Sequence, residues 1–84
     1  MNQSIQFPDR EEWDEGAQAI RFPVQINGFQ RECILRAASI QQRYGGSHYE
    51  EWLSLFILNR WDFEEEFESL IVNEVEDADG RFVL

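Results

Sequence analysis

The sequence predicts an α+β fold, a small antiparallel sheet packed on one short and one long helix. Two observations carry that prediction. An Asn-Gly pair separates two alternating apolar runs at 19–36, and large apolar residues recur at helical spacing from Tyr49 to Leu70. Gly45-Gly46 falls between these blocks, and a turn signal at Asp79-Gly80 follows them. With 84 residues the chain is expected to form a single domain, 1–84. A domain of this size buries roughly 60–65% of the surface its unfolded form exposes. Trp13, Trp52, Trp61 and seven phenylalanines supply a core without metal or disulfide staples.

The hairpin's register is readable from the sequence. Asn27-Gly28 favours a two-residue type I′ turn. Strands 19–26 and 29–36 then pair Ile26 with Phe29, Val24 with Arg31, Phe22 with Cys33 and Ile20 with Leu35. The apolar face carries Ile20, Phe22, Val24, Ile26, Phe29, Cys33 and Leu35, whereas the other carries Arg21, Gln25, Gln30, Glu32, Ile34 and Arg36. Pro23 lacks a donor and falls at a site that owes the 29–36 strand no hydrogen bond. A strand on the outer side of 19–26 must therefore stop short of Pro23, which fits a brief strand around Trp13 folding back through "DEGAQ". With "SIQF" this gives an N-terminal meander.

A short helix, about 39–44, is expected to end at Gly45-Gly46, where a left-handed cap favours glycine. "SHYE" then reads as a capping box between Ser47 and Glu50. A long helix follows, about 48–75. Projection at 100° per residue gathers Tyr49, Trp52, Phe56, Phe63, Phe67 and Leu70 into one sheet-facing stripe, flanked by Leu53 and Ile71. Leu58, Trp61 and Val72 fall roughly opposite, while Asn59 and Arg60 fall on the stripe. Either the helix kinks or restarts near 59–61, with Asn59 capping and Leu58 and Phe63 as a staple, or it runs on and presents Trp61 outward. Continuity with at most a mild bend is the preferred reading. The chain closes with a turn at Asp79-Gly80 and a short strand, 81–84, at the sheet edge.

The formal charge is −10 and sits mainly in the second half. Residues 1–46 hold six acids and five arginines, and 47–84 hold eleven acids and two arginines. Such a chain repels a phosphate backbone, so direct nucleic-acid backbone binding is not expected. The lone Cys33 cannot form an internal disulfide, and no apolar run is long enough for a membrane span. A cytoplasmic location without membrane contact is expected.

The chemical motifs are weak. "RYGGSHYE" lacks the spacing and the lysine of a phosphate loop. In "EVEDADG", aligning Gly80 with a calcium-loop glycine puts Val75 at the first ligand position. Glu64, Glu65, Glu66 and Glu68 read as a solvated helix face. His48, the single histidine, has no partner for catalysis, and Cys33 points into the sheet's buried face. No catalytic residue, metal site or cofactor is therefore assigned. What rises above background is an apolar set off the stripe with acids around it: Ile57, Leu58, Trp61, Glu65, Glu68 and Val72, a candidate contact surface.

Three blocks, "MNQSIQFPDREEWDE", "FPVQINGFQ" and "RWDFEEEFESLI", make the chain resemble the YrdB-like family of small bacterial proteins, a domain of unknown function. The resemblance runs over nearly the whole length, more loosely between residues 31 and 52. It implies an antiparallel sheet packed against helices and supplies no activity, cofactor or catalytic residue. The leading expectation is a non-catalytic interaction or regulatory module that meets a protein partner, such as a basic one, or a second copy of itself. One alternative is a small-ligand or metal binder, or an enzyme, with a sheet–helix pocket around Arg31, His48 and Arg60. Another is an acidic mimic of nucleic acid.

Overall fold

The computed structural model describes residues 4–84; Met1 to Gln3, which open the first block of the family resemblance, lie outside them. In chain order the elements are β1 (Ile5–Gln6), β2 (Glu12–Asp14), β3 (Ala19–Ile26), β4 (Phe29–Arg36), α1 (Ala37–Tyr44), α2 (Tyr49–Leu58), α3 (Arg60–Val72) and β5 (Phe82–Val83). Among the described residues they form a five-stranded sheet and three helices, an α+β architecture.

The β3–β4 hairpin has the register read from the turn, from Ile26 opposite Phe29 through Val24–Arg31, Phe22–Cys33 and Ile20–Leu35 to Ala19 opposite Arg36. Asn27 and Gly28 both take positive φ, as a type I′ turn demands. Pro23 divides the outer side of β3. β1 pairs with Ile26 and Gln25, β2 with Arg21 through Ala19, and the positions around Pro23 have no outer partner among the described residues. The expected meander is therefore corrected: β1 and β2 lie end to end along β3, and the segment between them leaves the sheet.

The second correction concerns β5, which joins β4 in parallel, with Cys33 beside Phe82 and Ile34 beside Val83, so the sheet is mixed. The crossover through three helices brings the chain back in the same direction as β4, as parallel pairing requires. Leu84 completes the edge, donating to Ile34 and accepting from Arg36.

The core lies between the sheet and α2–α3. Ile20, Phe22, Val24, Cys33 and Leu35 meet Phe56, Phe63, Phe67 and Ile71 there, and all are buried. Phe22 is central, 4.9 Å from the ring of Phe56 and 5.0 Å, edge-on, from that of Phe67. Each such side chain stabilises the fold by about 1.5–3 kcal/mol through burial alone. Several hairpin residues depart from the alternation, among them Ala19, which is on the polar face yet fully buried. Phe29 belongs to the apolar face but sits at the turn, beyond the helices' reach, and is 76% exposed. Ile34, on the polar face, is buried between its strand partners Arg21 and Val83.

α1 starts at Ala37 and ends at Gly45-Gly46, both with positive φ. At α2 the expected capping box does not form. His48 is the N-cap, its Nδ1 accepting from the Glu50 N–H at 3.3 Å, while the Ser47 hydroxyl donates to Glu51.

The long helix is two helices. Asn59, at φ −111° and ψ 23°, separates α2 from α3. Its side chain does not cap α3; Nδ2 donates backward to the Leu55 carbonyl at 2.9 Å, which also accepts the Asn59 N–H at 3.0 Å. A side chain inserted into the i→i−4 ladder is a physical cause of a sharp bend. The Phe63 N–H still reaches the Asn59 carbonyl, so the interruption is one residue wide.

Candidate functional site

The break does not bury Trp61. The tryptophan is 86% exposed and Leu58 80%, with Ile57 and Val72 also exposed. A helix restart at Asn59 and an outward Trp61 coexist, although the sequence offered them as alternatives. The residue that turns inward is Arg60. Its guanidinium lies 5.2 Å from the Phe56 ring centre, and its side chain is only 13% exposed. It donates to the Pro8 carbonyl at 2.9 Å, contacts Asp9 at 3.2 Å, pairs with Glu11, and holds Glu64 at 2.7 Å. Arg60 can occupy the apolar stripe because the segment expelled from the sheet near Pro23 brings carbonyl and carboxylates to meet it.

Two open grooves flank Trp61. One, of about 480 Å³, is lined by Ile57, Leu58, Asn59, Arg60, Trp61 and Asp62. The other, of about 360 Å³, is lined by Ile5, Phe7, Trp61, Glu64, Glu65 and Glu68. Trp61 is a wall of both. Of the sequence-derived surface, Ile57, Leu58, Trp61, Glu65 and Glu68 are brought together, whereas Val72 lies three turns along α3 and lines neither groove. Ile5, Phe7, Asp62 and Glu64 were not foreseen. Alternation in "SIQF" marks Ile5 and Phe7 as same-side residues, but nothing local places them against α3.

The acids of α3 divide in two. Glu64 is paired with Arg60 and Glu66 with Arg43. Among the described residues, no arginine pairs with Asp62, Glu65 or Glu68.

The three pocket candidates go to separate places. Arg31 packs over the Phe82 ring, pairs with Glu76, donates to the Gly80 carbonyl at 3.1 Å, and lines a hollow of about 120 Å³. Arg60 holds the β1–β2 segment. His48 caps α2 and lies 4.6 Å from the Tyr49 ring. They share no partner among the described contacts. Cys33 is fully buried, and burial pushes its thiol pKa far up, which disfavours the nucleophilic thiolate. Among the described residues, no three His, Cys, Asp or Glu side chains gather as a metal site, and no helix is long and apolar enough to cross a membrane.

Fold and face together make this a small acidic α+β protein that sets a solvent-facing tryptophan on a broken helix. The chain belongs to the family described as "Protein of unknown function (DUF1488)", which matches residues 5–84. It is 49% identical over 80 residues to the uncharacterized protein YrdB of Escherichia coli K12, covering 95% of this chain and 94% of that one. The YrdB of Shigella flexneri is 48% identical over the same shares. A solved structure of a DUF1488 protein of unknown function from Shewanella loihica PV-4 superposes with a TM-score of 0.92 at 34% identity, over all of this chain and 94% of that one.

Proposed function

We propose that this protein is a non-catalytic, cytoplasmic interaction module whose contact face is centred on Trp61. The observation that carries this reading is the 86% exposure of Trp61 between two grooves. A large aromatic left in water contributes nothing to the core, and tryptophan is enriched among residues that dominate protein interfaces. The chain's other two tryptophans are used internally. Trp13 stacks on Tyr49 at 5.7 Å, and Trp52 donates to the Gly45 carbonyl at 3.2 Å. Rigid support favours recognition as well. Arg60, next to Trp61, is held by four groups, so the backbone that carries the tryptophan is anchored.

Affinity capture at native expression, with wild type and Trp61→Ala in parallel, tests the reading. A set of proteins recovered by wild type and lost with the folded variant is expected. Identical recoveries would remove Trp61 from the contact.

A further inference from the structure

We infer that the occupant of the Trp61 face is a basic amphipathic segment of another protein, which rests on the contact-face reading above. Its apolar anchor fills the groove of Ile57 and Leu58. Its Arg or Lys side chains cross Trp61 and meet Glu65 and Glu68 in the neighbouring groove.

Charge complementarity carries the assignment. Along α3, Glu64 and Glu66 are held by Arg60 and Arg43, and the carboxylates without an arginine among the described residues are Asp62, Glu65 and Glu68. All three are exposed, and all line the grooves on either side of Trp61. Glu65 and Glu68 stand four and seven positions beyond Trp61, so they share its helix face. The indole adds a surface over which a cation is favoured. A guanidinium placed there meets the ring and carboxylates together, which suits arginine best.

The same pattern argues against the other occupants. A second copy would bring identical carboxylates of a −10 chain against each other, and like charges across an interface are strongly penalised. A phosphate backbone meets the same repulsion.

A random 12-residue display library panned on immobilised wild-type protein tests the proposal. Selected peptides are then titrated against wild type, Trp61→Ala and the double variant Glu65→Gln/Glu68→Gln, each checked for native circular dichroism and melting. The expected pool combines Arg or Lys with aromatic or branched aliphatic residues. Its binding is lost with Trp61→Ala, falls about tenfold with the double variant, and weakens between about 0.05 and 0.5 M salt. An empty, neutral or acidic pool overturns the inference. Peptides that need Trp61 but ignore the glutamine substitutions overturn the basic occupant and leave the contact face standing. Peptides that bind Trp61→Ala as well as wild type overturn both. A Trp61-dependent dimer in sedimentation identifies a second copy and likewise overturns the basic occupant.

Discussion

The guanidinium of Arg60 donates to the backbone carbonyl of Pro8 at 2.9 Å, joining positions 52 apart in the chain. This contact ties the segment between β1 and β2 to the first residue of α3. Arg60 follows the helix break at Asn59 and precedes Trp61.

Removing Arg60 should loosen both partners. Arg60→Ala leaves Glu11 and Glu64, which are 20% and 23% exposed, facing each other's charge without a counter-ion. Partly buried charges stripped of a partner cost about 2–3 kcal/mol, discounted here for remaining solvent. Urea unfolding should show that loss, with Arg60→Lys falling between, because an ammonium cannot reproduce the fork of contacts. Hydrogen exchange over residues 7–11 should accelerate in Arg60→Ala. Unchanged exchange would separate the loop from the arginine.

Trp61 and Phe56 should behave oppositely. Trp61→Ala removes a side chain that is mostly in water, so stability should stay within about 0.5 kcal/mol of wild type. Phe56→Ala empties a fully buried site between Phe22 and Phe63 and should cost about 3–5 kcal/mol. Thermal melting distinguishes them. A large loss with Trp61→Ala would mean that the tryptophan is packed.

How far the sequence carried can be read from these residues. Phe56 was placed in the core by periodicity and the hairpin register by Asn27-Gly28, because both signals are local and repeat. Pro23 announced an interrupted outer edge, since a missing donor constrains its immediate neighbours. β5 was misjudged because two paired residues carry no directional signal; orientation comes from the path of three helices. Asn59 was ambiguous because its side chain chose a backward bond to Leu55 over a forward cap, a competition between two bonds of similar strength. His48 displaced Ser47 as the cap for the same kind of reason. Ile5 and Phe7 joined the Trp61 face through a contact between distant segments, which no window of sequence displays.

Gly46 should resist substitution. Its φ is +89°, and an added Cβ would stand 2.9 Å from Trp52 Nε1 and 3.0 Å from its Cδ1. Backbone strain and a collision with a partly buried ring act together, so Gly46→Ala should lose about 1–3 kcal/mol. Near-ultraviolet circular dichroism of the tryptophans should change with it. Gly28, also at positive φ but with open space around it, should cost less on substitution by Asn, which tolerates that conformation.

Asp77 organises the return to β5. Its Oδ1 accepts the backbone N–H groups of Arg81 and Asp79, each at 2.9 Å. The Arg81 backbone bond is the largest of the causes that hold its carboxyl below the ordinary aspartate range. A depressed folded pKa stabilises the protein above the unfolded value, about 3.9, and that stabilisation is lost as pH falls through the folded value. Wild type should therefore melt higher than Asp77→Asn near neutrality, and the difference should shrink below about pH 4. A difference that stays constant with pH would show that the charge of Asp77 is not involved.

Site-specific photo-crosslinking in cells at native expression tests whether Trp61 marks the contact face. A benzophenone side chain at position 61 is compared with the same group at position 29, where Phe29 is 76% exposed but lines neither groove beside Trp61. A discrete adduct with a basic segment of another protein is expected at position 61 and none at position 29. No adduct at 61, or the same adduct at both positions, would contradict it.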